Sequence, residues 1–198
     1  MGDPAMQTRE LTQPEVSEFN SCSAAGKKLV GVENGKFTAE DIVNRIEDHI
    51  LNWHKAKPGF LARLLGSKRD TTQVALALGA LWGEQLIGRF GWSWTCAQSD
   101  GSDYYCVASP DRSIAVYPTY YVKGCLDNPS VDCTIVLAFN MLSAGSVPQL
   151  PEGGLQNLMA GIQRVVPRRE ILTMQSTRRR NRLFAQTRQY CRRGLLRR

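Results

Sequence analysis

Histidine is almost missing from this 198-residue chain, where His49 and His54 are the only two. On a helix, residues five apart stand about 140° from one another around the axis. They do not share a face as an i, i+4 metal-binding pair does, and both are expected at the surface or its boundary. The six cysteines, Cys22, Cys96, Cys106, Cys125, Cys133 and Cys191, show no CxxC or CxxxH spacing, so a zinc site has no sequence support. They are too few for a disulfide scaffold, and reduced thiols are the expectation. Long apolar runs are lacking too. Nothing approaches the roughly 18 residues that a membrane-spanning helix needs. The opening MGDPAMQTRELTQPEV has neither a basic nor an apolar stretch, which argues against an export signal and for a cytoplasmic setting.

Signatures of catalysis are missing as well. There is no GxSxG elbow, no GxGxxG turn and no phosphate-binding P-loop. Glu40-Asp41 and Glu47-Asp48 fall on the polar side of a helical stretch, and Asp100 and Asp103 belong to a turn. A cysteine nucleophile would need one of the two histidines beside it in space. Accordingly no catalytic, cofactor-binding or metal-binding residue is assigned, no cofactor is expected, and the chain is read as a non-enzyme.

What is present is charge, unevenly placed. The net charge is +7, yet residues 168–198 hold eleven arginines and one acid, Glu170, for +10. The other 167 residues hold 14 bases and 17 acids, for −3. Such a division predicts three segments: a flexible N-terminal arm over 1–36, a single domain over 37–167, and an arginine-rich C-terminal extension over 168–198. With 42% hydrophobic residues, a chain of this length can build a core without metals or disulfides.

Periodicity gives the elements of that domain. TAEDIVNRIEDHILNWH predicts a helix, with Thr38 and Asp41 as a shortened capping box and Ile42, Ile46, Ile50 and Trp53 on one face. GFLARLLGSKRD predicts a short helical turn. TTQVALALGALWGEQLIGRFG predicts a second helix, capped by Thr71 or Thr72 and stopped by Gly91, with Ala75, Leu78, Trp82 and Gln85 along one side. Gly79, Gly83 and Gly88 inside it each cost up to about 1 kcal/mol against alanine. Close approach of another backbone would offset that cost.

WSWTCAQ and DYYCVAS then predict a hairpin around SDGS. A three-residue loop, Asp100 to Ser102, would set Cys96 opposite Cys106. SIAVYP predicts a third strand closed by Pro118. VDCTIVLAFNML is compatible with a fourth strand or a short buried helix, and its β-branched residues favour the strand. PEGGLQNLMAGIQRVVP predicts a last helix with Leu155, Leu158, Met159, Ile162 and Val165 on its face. The fold class is α+β: N-terminal helices, a small antiparallel sheet of three to four strands, a C-terminal helix and a basic tail.

The run LALGALWGEQLIGRFGWSW, followed by a hairpin and AVYP, resembles small bacterial domains of unknown function. Some of these are associated with polymorphic toxins, where small α+β proteins serve as immunity factors. The resemblance spans residues 38–167 and implies a module that binds another protein by steric occlusion. It brings no functional residues with it.

The aromatics concentrate between residues 92 and 121. Most are expected in the core or half-buried, and Trp92, Trp94, Tyr120 and Tyr121 are the candidate partner-binding anchors, because such side chains anchor protein interfaces. The tail suggests another partner, nucleic acid. Arg178, Arg179, Arg180, Arg182, Arg188, Arg192, Arg193, Arg197 and Arg198 are candidates to neutralise phosphates.

Overall fold

The elements, in chain order, are β1 (Gln7–Glu10), α1 (Gln13–Val30), α2 (Ala39–Lys55), α3 (Thr71–Phe90), β2 (Ser93–Ser99), β3 (Ser102–Ala108), β4 (Ile114–Val116), α4 (Pro118–Asp127), α5 (Ile135–Ser143), β5 (Gln156–Asn157) and α6 (Leu158–Val165). They come from a computed structural model that describes residues 7–55, 70–99 and 101–165. The fold is α+β. Its five strands lie in the order β1-β2-β3-β4-β5, antiparallel throughout except for the parallel pair β4 and β5.

α3 is the centre of the helical layer. Ala75, Leu78, Trp82 and Gln85 are buried as their spacing predicts, but so are Ala77, Gly79, Ala80, Leu81, Gly83 and Leu86. A helix apolar nearly all round is a core helix, not an amphipathic surface one. Its N-cap is Asp70, whose carboxylate accepts from the Thr72 N–H at 2.9 Å, in place of the expected Thr71 or Thr72. Gly91 ends it in the left-handed conformation, at φ 68°.

Small residues let the neighbouring helices close on α3. A Cβ added to Gly79 would lie 2.6 Å from Thr119 Cα and 2.7 Å from Thr119 N, at the start of α4. Gly26 of α1 abuts the Ala77 carbonyl, and Gly83 abuts the Trp94 ring. Around this contact Ile46, Ile50, Leu78, Leu81, Trp82, Leu86, Val107, Val116, Val122, Ile135 and Phe139 form the main core.

A flexible arm over 1–36 is not what residues 7–36 form. β1 pairs with β2, Arg9 opposite Cys96, and α1 packs on α3 through Ser23, Gly26 and Val30. No apolar period marks α1 in the sequence, because its buried stripe holds one apolar residue, Val30, beside Ser23 and Gly26. The start signal was there: in Thr12-Gln13-Pro14-Glu15 the Glu15 carboxylate accepts from the Thr12 N–H at 2.7 Å. In α2 the anticipated box forms, with Thr38 N–H donating to Asp41 at 3.0 Å and Asp41 N–H to Thr38 Oγ1 at 3.1 Å.

Three further expectations change. The hairpin register pairs Ser99 with Ser102, Cys96 with Tyr105 and Thr95 with Cys106, so two residues, not three, separate the paired strands. Because successive strand residues alternate faces, Cys96 and Cys106 stand on opposite sides of the sheet. Pro118 does not merely close a strand; it occupies the first turn of α4. And the supposed strand within 131–142 is α5, leaving β1 and β5 to complete the sheet. The short helical turn expected over GFLARLLGSKRD, residues 59–70, lies outside the described residues but for Asp70, as does the arginine-rich tail.

Candidate functional site

α5 carries apolar side chains on its outward as well as its buried face, and that is what creates a site. Ile135, Ala138 and Phe139 are buried in the core, while Leu137 on the other side is 41% exposed. Leu137 and Met141, at i and i+4, are neighbours on one helix face. The helix is fixed at its start by the Val136 N–H, which donates to Glu47 of α2 at 2.9 Å. It is turned at its end by Gly145 (φ 63°), with Gly145 N–H to Leu142 O at 3.1 Å and Ser146 N–H to Met141 O at 2.9 Å. This paired closure turns the chain back, so that Val147, Pro148 and Leu150 continue the wall begun by Leu137 and Met141.

The facing wall is held by the sheet. Leu155 N–H donates to Arg112 O at 2.8 Å and Gln156 N–H to Ser113 O at 2.9 Å, docking β5 beside β4. Asn157 Oδ1 then accepts from the Met159 N–H at 3.0 Å and so caps α6. Gln156, Asn157, Leu158, Gly161 and Ile162 line this side. Between the walls lies a cavity of about 530 Å³, well inside the size range of ligand pockets. None of the ten described residues that line it is ionisable; they offer apolar contact and two side-chain amides.

The four aromatic candidates are not brought to one surface. Trp92 is buried in the main core, 6.2 Å from Phe90 between ring centroids. Trp94 is half-buried and stacked on Phe19 at 4.1 Å. Tyr121 is half-buried, with its hydroxyl donating to Asp132 O at 3.0 Å, lying 2.9 Å from Thr134 Oγ1 and accepting from the Thr134 N–H at 2.9 Å. Tyr120 alone of the four is exposed, at 48%, beside Tyr104 and Tyr117 at 6.1 and 6.5 Å. Three of these aromatics therefore hold the fold together, and none lines the cavity. The nine tail arginines, Arg178 to Arg198, lie outside the described residues.

Two polar clusters complete the chemistry. At the edge of the sheet, Glu15 accepts both Arg9 guanidinium nitrogens at 2.8 and 2.9 Å and the Tyr105 hydroxyl at 2.7 Å. These donors, Arg9 first, hold its carboxyl well below the usual carboxylate range, and in return Tyr105 is pushed up to about 12. The second cluster joins α2, α4 and the loop before α5. There the His54 ring, through Nε2, meets the Cys125 carbonyl at 2.7 Å and not its thiol, so no cysteine–histidine nucleophile pair is made at that contact. His49 is pushed down by burial and lies 6.5 Å from the Trp53 ring. Among the described residues no group of three or more His, Cys, Asp or Glu is placed to hold a metal ion, and no helix is long and apolar enough to cross a membrane.

No family model, curated protein or solved structure matches the chain. What the fold and its geometry show is an α+β protein with an apolar groove between two short helices.

Proposed function

We propose that this protein works by binding another protein, and that its α5–α6 groove receives the apolar face of a partner's amphipathic helix. The observation that carries the reading is the groove itself, an apolar cavity of about 530 Å³ with Leu137 41% exposed at its wall. An uncharged lining selects an uncharged occupant, since burying an unpaired charge there costs heavily. Met141 adds an adaptable surface of the kind found where helices dock into grooves. Immunity-factor action, in which a bound toxin is occluded sterically, is the form of binding that the resemblance of residues 38–167 suggests, in a bacterial cytoplasm. The product of the adjacent gene is then the partner to try first. Leu137→Glu should weaken that complex at least tenfold, which corresponds to about 1.4 kcal/mol. A partner that binds the variant as tightly as the wild type would move the interface elsewhere.

A second reading rests on residues 168–198, whose net charge is +10. Such a segment would bind nucleic acid through phosphate neutralisation, with affinity falling steeply as salt rises. Deleting residues 175–198 should abolish retention on RNA or heparin at low salt. A full-length protein that is not retained at all rules this reading out.

A further inference from the structure

Cysteine chemistry is used by neither reading above, yet two thiols are brought together with care. Cys125 lies in the last turn of α4 and is 1% exposed; Cys133 is half-buried in the loop that leads into α5. Tyr121 stands one helical turn before Cys125, on the same helix face. Its hydroxyl binds the residues on both sides of Cys133: Asp132 O at 3.0 Å, and Thr134 through N–H and Oγ1, each at 2.9 Å. Residues 132–134 are thereby fixed against the helix that carries Cys125, and His54 steadies the Cys125 carbonyl from α2. The hairpin cysteines show the contrast, since their register sends Cys96 and Cys106 to opposite faces of the sheet.

We propose that Cys125 and Cys133 are an oxidisable dithiol that closes to an intramolecular disulfide with hydrogen peroxide as oxidant. The roles of the two sulfurs differ. A hydrogen bond from the Cys133 thiol draws the Cys125 thiol below its ordinary value, while that same bond and burial push Cys133 far up. In the proposed reaction Cys125 supplies the thiolate, which is the attacking form, and Cys133 resolves. The Cys125 sulfur attacks one peroxide oxygen and the O–O bond breaks, giving a sulfenic acid and hydroxide, which takes up the thiol proton as water. The Cys133 sulfur then attacks the sulfenic sulfur, the S–O bond breaks, and a second water leaves with the Cys133 proton. Two thiols lose two electrons and two protons, and one peroxide becomes two waters. Nothing in this step depends on the groove or on a partner protein.

The test uses the full-length reduced protein, treated with a small molar excess of hydrogen peroxide and analysed intact and after proteolysis. Cleavage before Asp127 and Asp132 separates the two cysteines, and cleavage after Arg164 separates Cys133 from Cys191, so a bridge between the fragments is read directly. The expected result is a mass loss of two hydrogens, one Cys125–Cys133 linkage, and full reversal by dithiothreitol. In Cys133→Ala the reaction should stop at a Cys125 sulfenic acid that dimedone traps. The idea is overturned if both residues stay free thiols, if either is over-oxidised without bridging, or if peroxide links other cysteines instead. Because the wild-type protein carries the main result, a variant that fails to fold does not blunt the test.

Discussion

Gly79 and Gly88 sit nine residues apart in the same helix and predict opposite outcomes for the same substitution. A methyl at Gly79 meets the Thr119 backbone at 2.6–2.7 Å, which neither helix can yield cheaply. Overpacking of this kind costs about 1–3 kcal/mol, more than the helix-propensity gain of up to about 1 kcal/mol. Gly79→Ala should therefore lower the urea midpoint, and Gly88→Ala, which meets nothing within 4 Å, should raise it. Equal effects at the two sites would contradict the packing described here. In the sequence the glycines could be read as a cost awaiting an offset, but not which of them had a backbone against it. That depends on α4, whose first residue, Pro118, reads in the sequence only as the end of a strand. Three of the four aromatic candidates turn inward for a related reason: residue type says that Trp92, Trp94 and Tyr121 are valuable contacts, and only the fold shows that those contacts are internal, while Tyr120 stays exposed.

At the scale of elements, the attachment of β1 and α1 to the sheet is electrostatic as well as apolar. Glu15 is held low chiefly by Arg9, so its contribution to stability is present above the ordinary carboxylate value of 4.5 and is lost as pH falls below it toward the folded-state value. Glu15→Gln should be less stable than wild type at pH 7, and the gap should narrow steadily below pH 4.5. The same variant should return Tyr105 from about 12 toward 10, as followed by ultraviolet titration. A gap that stays constant with pH would mean the Arg9–Glu15 pair does not fasten this corner. The elements most legible in the sequence were those with a clean period or cap: α2, α3 and the β2–β3 hairpin. α5 is not legible, because TIVLAFNML is a short, mostly apolar run and such runs do not distinguish strand from buried helix. With it went the groove, for Leu137 and Met141 become neighbours only once that run is helical.

For the whole molecule, the described core draws its buried residues from Val30 to Ile162. A chain ending at residue 167 should accordingly unfold in one cooperative transition, with a urea midpoint close to that of the full-length protein. Broad, non-cooperative unfolding of the truncated chain would give the basic extension a part in the fold. The charge asymmetry is plain in the sequence; the groove is not, since it sets residues 137–150 beside residues 156–162, the latter placed by a parallel strand pair that no local pattern announces.

Gly161 offers the sharpest test of the groove as a protein-binding site. It lines the cavity, and open space surrounds the position where its Cβ would stand. Gly161→Leu should fill the groove while leaving thermal stability unchanged or slightly raised. Titrated calorimetrically with the adjacent gene's product, this variant should bind at least tenfold more weakly than wild type. Undiminished affinity in a fully folded variant would contradict the account.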